Sequence, residues 1–322
     1  MRNSSILIVL AAITASAVTA AVDPGVARLG QALTAYEKKD FFATVHLLSA
    51  PGQPAKLRDY VAYYLANAEL VTNNGNDAVR DLAKYESNPV ADSPLAGRLG
   101  LLYAKALMGQ TGATPANAAK ARQMLENEST ILPQPDGDFA LAQAFEATGF
   151  PRQAAVYFQR VYYLYPANDL AERAKAAAEK LRPSLGTEYP QAPARQQLDR
   201  PKAWLAAKQY VKARQEYAVL AENLTGADRD EAQAGVGAAL FLDGDVAGCV
   251  SYLAPLHPEG AEGGAERLYY LTEAYRKLND DAAMLDAVHQ LGERYPVSPW
   301  RLKALISGIS MPRKAAQPPV RH

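Results

Sequence analysis

The sequence is poor in cysteine and histidine, and its charges show no excess of either sign. Its 322 residues include one cysteine and four histidines, and Lys+Arg and Asp+Glu number 34 each. The single cysteine, Cys249, excludes an internal disulfide, and its place in the apolar run 247–253 predicts a small core residue. No two histidines stand at the spacing of metal ligands, so we predict no metal site. The charge balance argues against a nucleic-acid partner, which needs a clustered positive field.

The sequence also lacks the signatures of strands and of common enzymes. No stretch alternates apolar and polar residues for long enough to predict a strand. There is no G-x-S-x-G elbow, and close helix packing explains Gly235 and Gly237 better than a dinucleotide-binding loop. Asp228, Asp230 and Glu231 open a predicted helix, where acidic residues favour the positive end of the helix dipole. We therefore predict no catalytic residue and no cofactor in this chain.

The first 21 residues are typical of an export signal. Met1-Arg2-Asn3 is a short positive start, an apolar core follows at 6–12, and Val18-Thr19-Ala20 fits a cleavage site. The apolar core is too short to cross a bilayer, and no cysteine follows it to carry a lipid anchor. We predict a cleaved signal peptide at 1–21, a periplasmic or secreted protein, and no stable membrane insertion after cleavage.

The sequence is rich in alanine and carries a helical repeat. In the clearest unit, an apolar stripe of Leu141, Ala142 and Phe145 is followed by a second stripe in the next predicted helix. The second stripe contains Ala154, Phe158 and Val161, Gly149 and Pro151 lie between the two helices, and Tyr165-Pro166 closes the unit. This pattern resembles a tetratricopeptide unit. The resemblance implies paired antiparallel helices that stack on their neighbours.

Further copies predict an all-α fold, an α-solenoid of tetratricopeptide-like helical hairpins. Stripes at 271–291 and 65–85 repeat the pattern, and seven to nine pairs or partial pairs fit between Pro24 and Ser307. Several prolines predict a linker or long loop at 183–194, and Pro133 and Pro135 make a smaller break. The predicted division is therefore an N-terminal array at 22–182, a C-terminal array at 195–307 and a disordered basic tail at 308–322.

A stacked array of this kind has a concave face that binds extended partners. Tyrosines on the first helices of the pairs are suited to peptides or glycans, because each ring offers a flat apolar face and one hydroxyl. The alternative is that most of these rings pack between repeats, which we favour. The candidates are Tyr60, Tyr63, Tyr64, Tyr103, Tyr269 and Tyr270.

The run from Tyr295 to Trp300, where the last helical stretch begins, reads Tyr-Pro-Val-Ser-Pro-Trp. This run resembles the N-terminal superhelical region of soluble lytic murein transglycosylases, where a Tyr-Pro-x-Ser-Pro-Trp run also ends one repeat and opens the next helix. By its chemistry, Ser298 is a cap, Pro299 suits the first turn, and Trp300 anchors the new helix. The resemblance implies a non-catalytic array, since the family's glycan-cleaving domain would follow it.

Three hypotheses follow. The first is a periplasmic module that binds peptidoglycan or a cell-wall partner. The second is a tetratricopeptide adaptor for envelope protein assembly, with a protein or peptide partner. The third is a truncated lytic transglycosylase, but Glu86-Ser87 and Glu128-Ser129 lie near the ends of repeat helices and are interpreted as chance matches to the family's catalytic Glu-Ser pair.

Overall fold

The computed structural model describes residues 23–109 and 114–309. Within these ranges every regular element is a helix, which confirms the predicted all-α class. None of the described helices is both long and apolar enough to cross a membrane. The predicted signal peptide at 1–21 and nearly all of the predicted tail at 308–322 lie outside the described residues. The chain divides into two compact units, which meet between Pro133 and Gln134.

Unit 1 contains three helical pairs in its described part. Consecutive helices pair, and the first helix of each pair also contacts the first helix of the next. One core cluster joins the first two pairs through Leu29, Ala32, Leu48, Val61 and Leu65. The helices are α1 (Pro24–Glu37), α2 (Phe41–Ser49), α3 (Arg58–Val71), α4 (Gly75–Glu86), α5 (Ala96–Gly109) and α6 (Pro115–Asn127), with a short 3-10 turn at Ala55–Leu57.

Unit 2 contains four helical pairs and two further helices in its described part. The pairs are α7 with α8, α10 with α11, α12 with α13, and α14 with α15, while α9 packs on α8 and α16 packs on α14 and α15. The helices are α7 (Asp136–Ala147), α8 (Pro151–Leu164), α9 (Leu170–Leu185), α10 (Ala194–Ala206), α11 (Tyr210–Asn223), α12 (Gly226–Asp243), α13 (Val246–Leu253), α14 (Ala261–Lys277), α15 (Asp281–Arg294) and α16 (Pro299–Ile309).

Most of the described hairpins share one kind of turn. A single residue with positive φ follows the first helix, the next residue is the N-cap of the second helix, and that helix begins one residue later. A left-handed residue at this place satisfies the last carbonyls of the helix and reverses the chain in few residues. In three hairpins the next residue is an aspartate whose side chain accepts a backbone N–H of the second helix: Asp40, Asp245 and Asp280. The positive-φ residues are Lys39, Asn73, Gly149, Lys208, Gly244 and Asn279.

Two glycines allow the helices of unit 2 to approach closely, as their position in a helical pair predicts. A β-carbon at residue 235 would lie 2.5 Å from the ring of Tyr217 on α11. One at residue 237 would lie 2.3 Å from the side chain of Leu253 on α13. Cys249 is fully buried in the same core cluster, which confirms its predicted role. Burial also raises the pKa of its thiol to about 12, helped by the nearby charge of Asp245.

The structure differs from the predicted linker at 183–194. Helix α9 continues through Pro183 and ends two residues later, at Leu185. Residues 189–193 then lie against α8 and α9: Tyr189 is buried, and Gln159 Nε2 donates to the carbonyl of Pro190 at 2.8 Å. The division between units lies instead at the smaller break, beside Pro133 and Pro135.

Candidate functional site

The first helices of the last pairs in unit 2 lie side by side. Helix α10 contacts α12, α12 contacts α14, and α14 contacts α16. We call the shared face of these four helices the first-helix row. It gathers charged and aromatic side chains that lie far apart in the sequence, and it includes two of the six predicted tyrosines.

The Ser-Pro-Trp run places α16 on this row as its chemistry predicts. Ser298 Oγ accepts the backbone N–H of Trp300 at 3.2 Å, and Pro299 is the first residue of the helix. Two side-chain hydrogen bonds then align α16 with α14. Trp300 Nε1 donates to Glu262 at 2.9 Å, and Ser307 Oγ donates to Glu273 at 2.6 Å. The two contacts lie about three helical turns apart along α14, so α16 runs beside it.

Three aromatic rings meet where α14 and α16 touch, and we call them the aromatic triad. The ring centroids of Tyr269 and Trp300 are 5.2 Å apart, those of Tyr270 and Trp300 5.9 Å, and those of Tyr269 and Tyr270 5.0 Å. Tyr270 is buried, whereas Tyr269 and Trp300 are half-buried and reach the surface. Rings with one covered and one wet face are typical of binding surfaces.

A lysine of the chain itself lies on the triad. Lys303 Nζ is 3.8 Å from the centroid of the Trp300 ring, well inside the range of a cation–π contact. Lys303 is exposed, and no carboxylate of the described residues lies within ion-pair distance of it. The face of the Trp300 ring is therefore already occupied by an ammonium group in the free protein.

At the other end of the row, Glu231 forms ion pairs with two basic side chains. This side chain is buried on α12, and it pairs with Lys202 and with Arg195, the latter at 3.2 Å. Its neighbour Asp230 accepts the backbone N–H groups of Glu259 and Gly260 at 2.9 and 2.8 Å. The prediction that both residues serve the dipole of their own helix is therefore incomplete, because each ties α12 to an adjacent pair.

Glu266 lies between these two groups and has no partner. It is 8% exposed, and no side chain or backbone group of the described residues forms a hydrogen bond or ion pair with its carboxyl. Burial, and then the charge of Glu231, raise its pKa to about 8, against the opposing charges of Lys202 and Lys303. The carboxyl is thus protonated at neutral pH. The oxygens of Glu266 are not among the buried side-chain atoms that lack a hydrogen-bond partner, so the carboxyl keeps contact with solvent and a ligand can reach it.

Unit 1 brings together three of the other predicted tyrosines. Tyr64 contacts Tyr36 of α1 at 5.0 Å between ring centroids and Tyr63 at 5.3 Å, and Tyr60 belongs to the same core cluster as Tyr64. These four rings are half-buried, and their hydroxyls have no hydrogen-bond partner in the described part of unit 1. Tyr103 is separate: it is 4% exposed, and its hydroxyl accepts from Lys120 of α6 at 2.9 Å.

Unit 1 also holds a second carboxyl with an unusual environment. Glu69 on α3 is 2% exposed, and it shares a hydrogen bond with Asp81 on α4. Burial and the charge of Asp81 raise the pKa of Glu69 to about 8. Asp81 also borders a cavity of about 690 Å³ with an aliphatic floor of Leu48, Val61, Ala62 and Leu65.

Glu266 was not among the residues predicted from the sequence, where the pattern that points to it is weak. Glu262, Glu266, Tyr269 or Tyr270, and Glu273 follow helical spacing, so one face of α14 was predictable. Burial of the carboxyl was not, because it depends on α12 and α16, which pack from either side. Within the described ranges no three His, Cys, Asp or Glu side chains converge to hold a metal ion.

Comparisons with known proteins give no family for this chain. No family model matches it, and no curated protein matches it. One similar solved structure is that of Naa15/Naa10 bound to HypK-THB, at 14% identity and TM-score 0.31, with 80% of this chain and 40% of that chain covered. Another is the C-terminal part of a TPR repeat-containing protein from Cytophaga hutchinsonii, at 15% identity and TM-score 0.29, with 86% and 99% covered.

Likenesses this low in identity and TM-score carry no argument about function. The resemblance of the Tyr295–Trp300 run to lytic transglycosylases stays a prediction, as do peptidoglycan binding and export.

Proposed function

We propose that the chain is an exported interaction module that binds an extended segment of a partner protein along the first-helix row of unit 2. The observation that carries this proposal is the pairing, on one face, of a surface-reaching aromatic triad with Glu266, a nearly buried carboxyl that the protein leaves without a partner. Tyrosine and tryptophan dominate the energetics of protein interfaces. A ligand that supplies a hydrogen-bond donor or a cation to such a carboxyl is bound more tightly for it.

Export rests on the pattern of residues 1–21, and it sets the compartment in which the partner is sought. An extended segment suits the row because the side chains of such a segment are regularly spaced and can contact one helix of the row after another. A glycan is the second candidate, and the half-buried tyrosines Tyr36, Tyr60, Tyr63 and Tyr64 of unit 1 favour it.

Affinity purification from cells tests the first candidate. We compare the wild-type chain with Trp300→Ala and with Leu285→Ala, a control on the exposed face of α15. We expect partner proteins that are lost from Trp300→Ala and retained by Leu285→Ala, with circular dichroism showing that both variants are folded. Partners that bind all three chains equally would contradict a role for the row.

Sedimentation with purified murein sacculi tests the second candidate. Retention at low salt that is lost in Tyr63→Ala would support glycan binding by unit 1. A chain that stays in the supernatant would remove the candidate.

A further inference from the structure

What the partner presents to the row can be inferred from the charges around the aromatic triad, and this step rests on the proposed function. We propose that the aromatic triad and Glu266 together receive a cationic side chain of the partner, lysine or arginine, and that Lys303 holds this place in the free protein.

The first support is the position of Lys303. Its ammonium lies over the ring of Trp300, which shows that the ring face is open to a cation of this size. Among the described residues no carboxylate pairs with Lys303, so the contact with the ring is what holds it. A cation–π contact at an exposed site is weak. The ammonium of Lys303 acts on the carboxyl of Glu266 only from beyond ion-pair distance. A partner cation that bonds directly to this carboxyl can therefore displace it.

The second support is the imbalance of pairing on the row. The nearby cations Arg195 and Lys202 are both committed to Glu231. Glu262 bonds only to the indole of Trp300, and Glu266 bonds to nothing. Two carboxyl groups beside an aromatic face thus lack a cation of their own. This arrangement complements a positive group.

Proton release follows from the same geometry. Glu266 has a raised pKa, so it is protonated when the site is empty at neutral pH, and a cation beside it favours the ionised form. Binding should therefore release a proton and strengthen as the pH rises toward 8. The ionisable groups that face Glu266 are Lys202 on α10, Tyr217 on α11, Glu231 on α12, Glu262 and Tyr270 on α14, and Lys303 on α16.

The two tryptophans of the chain make a direct test possible by NMR. Trp300 reports on the site, and Trp204, which is buried against Glu216, is an internal control. The full chain is titrated with an acetylated, amidated pentapeptide that has one lysine among alanines, and with the same peptide carrying norleucine instead. We expect the lysine peptide to shift the indole signal of Trp300 and not that of Trp204, and the norleucine peptide to shift neither.

Variants separate the roles of the two side chains. Lys303→Met should tighten binding of the lysine peptide by roughly two- to tenfold, because a competitor is removed. Glu266→Gln should weaken it by about tenfold and abolish its pH dependence, while an unchanged Trp204 signal shows that the fold is intact. Lys175→Met is the matched control, because Lys175 of α9 lies in the same way over Tyr162 of α8, 5.4 Å from its ring centroid and outside the first-helix row. It should change nothing.

Three results would overturn the inference. They are an equal shift by the norleucine peptide, no shift of Trp300 in Lys303→Met at saturating lysine peptide, or unchanged binding in Glu266→Gln. Partner capture that depends on Trp300 but is indifferent to Lys303 and Glu266 would leave the proposed function standing without this recognition chemistry.

Discussion

The ring of Tyr217 occupies the space in which residue 235 would carry a β-carbon. An alanine at this position would place that carbon 2.5 Å from two ring atoms, in a core where Tyr217 is 2% exposed. Neither partner can move freely, because α11 and α12 are packed along their length. The contact explains why a glycine stands inside a helix at a position where alanine would have the higher propensity.

We therefore expect Gly235→Ala to destabilise the protein by about 1–3 kcal/mol, as overpacking of a core does. Gly292→Ala is the control, since the nearest atom to its β-carbon would lie at an ordinary 3.8 Å, and it should stabilise by about 0.5–1 kcal/mol. Urea unfolding of the full chain followed by circular dichroism checks both variants. Equal midpoints for the two would show that the close packing of α11 and α12 is wrong.

The carboxyl pair of Glu69 and Asp81 makes the stability of unit 1 depend on pH. The pKa of Glu69 is about 8 in the folded state, raised first by burial and then by Asp81, and close to 4.5 in the unfolded chain. The folded state therefore keeps a proton that the unfolded state loses, so stability falls as the pH rises from about 4.5 to 8. Above pH 8 this contribution has been lost.

Glu69→Gln should remove this dependence and raise the free energy of unfolding at pH 8 by on the order of 1–2 kcal/mol, which is measured as a higher unfolding midpoint. The exposed Glu37→Gln change should leave the pH profile as in the wild type. Thermal unfolding between pH 5 and pH 9 measures the effect. A profile of Glu69→Gln that still falls in parallel with the wild type would contradict the assignment.

The start of α14 depends on Asp230 of α12. Two backbone N–H groups, those of Glu259 and Gly260, donate to one oxygen of this buried carboxylate. We expect Asp230→Ala to cost about 2–3 kcal/mol, because both donors lose a charged acceptor. In hydrogen-exchange measurements, the amide proton of Gly260 should exchange much faster in Asp230→Ala than in the wild type. Asp228→Ala, on the exposed first turn of α12, should change stability by less than about 0.5 kcal/mol.

The fold was largely predictable because most of its helices are determined by the pattern of residues close together in the sequence. Apolar stripes at helical spacing fixed the pairs, and the Ser-Pro-Trp run fixed the start of α16, since both depend on residues close in sequence. The predicted break at 183–194 overlaps residues 186–193, which lie between α9 and α10, but the helix itself continues through Pro183 to Leu185. The sequence pattern did not show that the two units divide at the smaller break, beside Pro133 and Pro135.

The candidate site was predictable only in part. Tyr269 and Tyr270 were chosen from the sequence, and the structure adds Trp300 to them across two helices. Glu266 could not be chosen, because its lack of a partner is set by which cations Glu231 has already taken. Tyr103 and Tyr269 were predicted from the sequence on the same grounds, but the hydroxyl of Tyr103 accepts a hydrogen bond from Lys120 of the same hairpin. Pairing across helices decides these outcomes, and local sequence does not encode it.

Site-specific photo-crosslinking tests the central claim most directly. Benzoylphenylalanine is placed at position 269 on the first-helix row, or at position 285 on the exposed face of α15, in the full-length chain expressed in cells. The row as a binding surface predicts that position 269 captures a defined partner protein, identified by mass spectrometry, and that position 285 captures little of it. Equal capture at both positions, or none at 269 from a folded, exported chain, would contradict the claim.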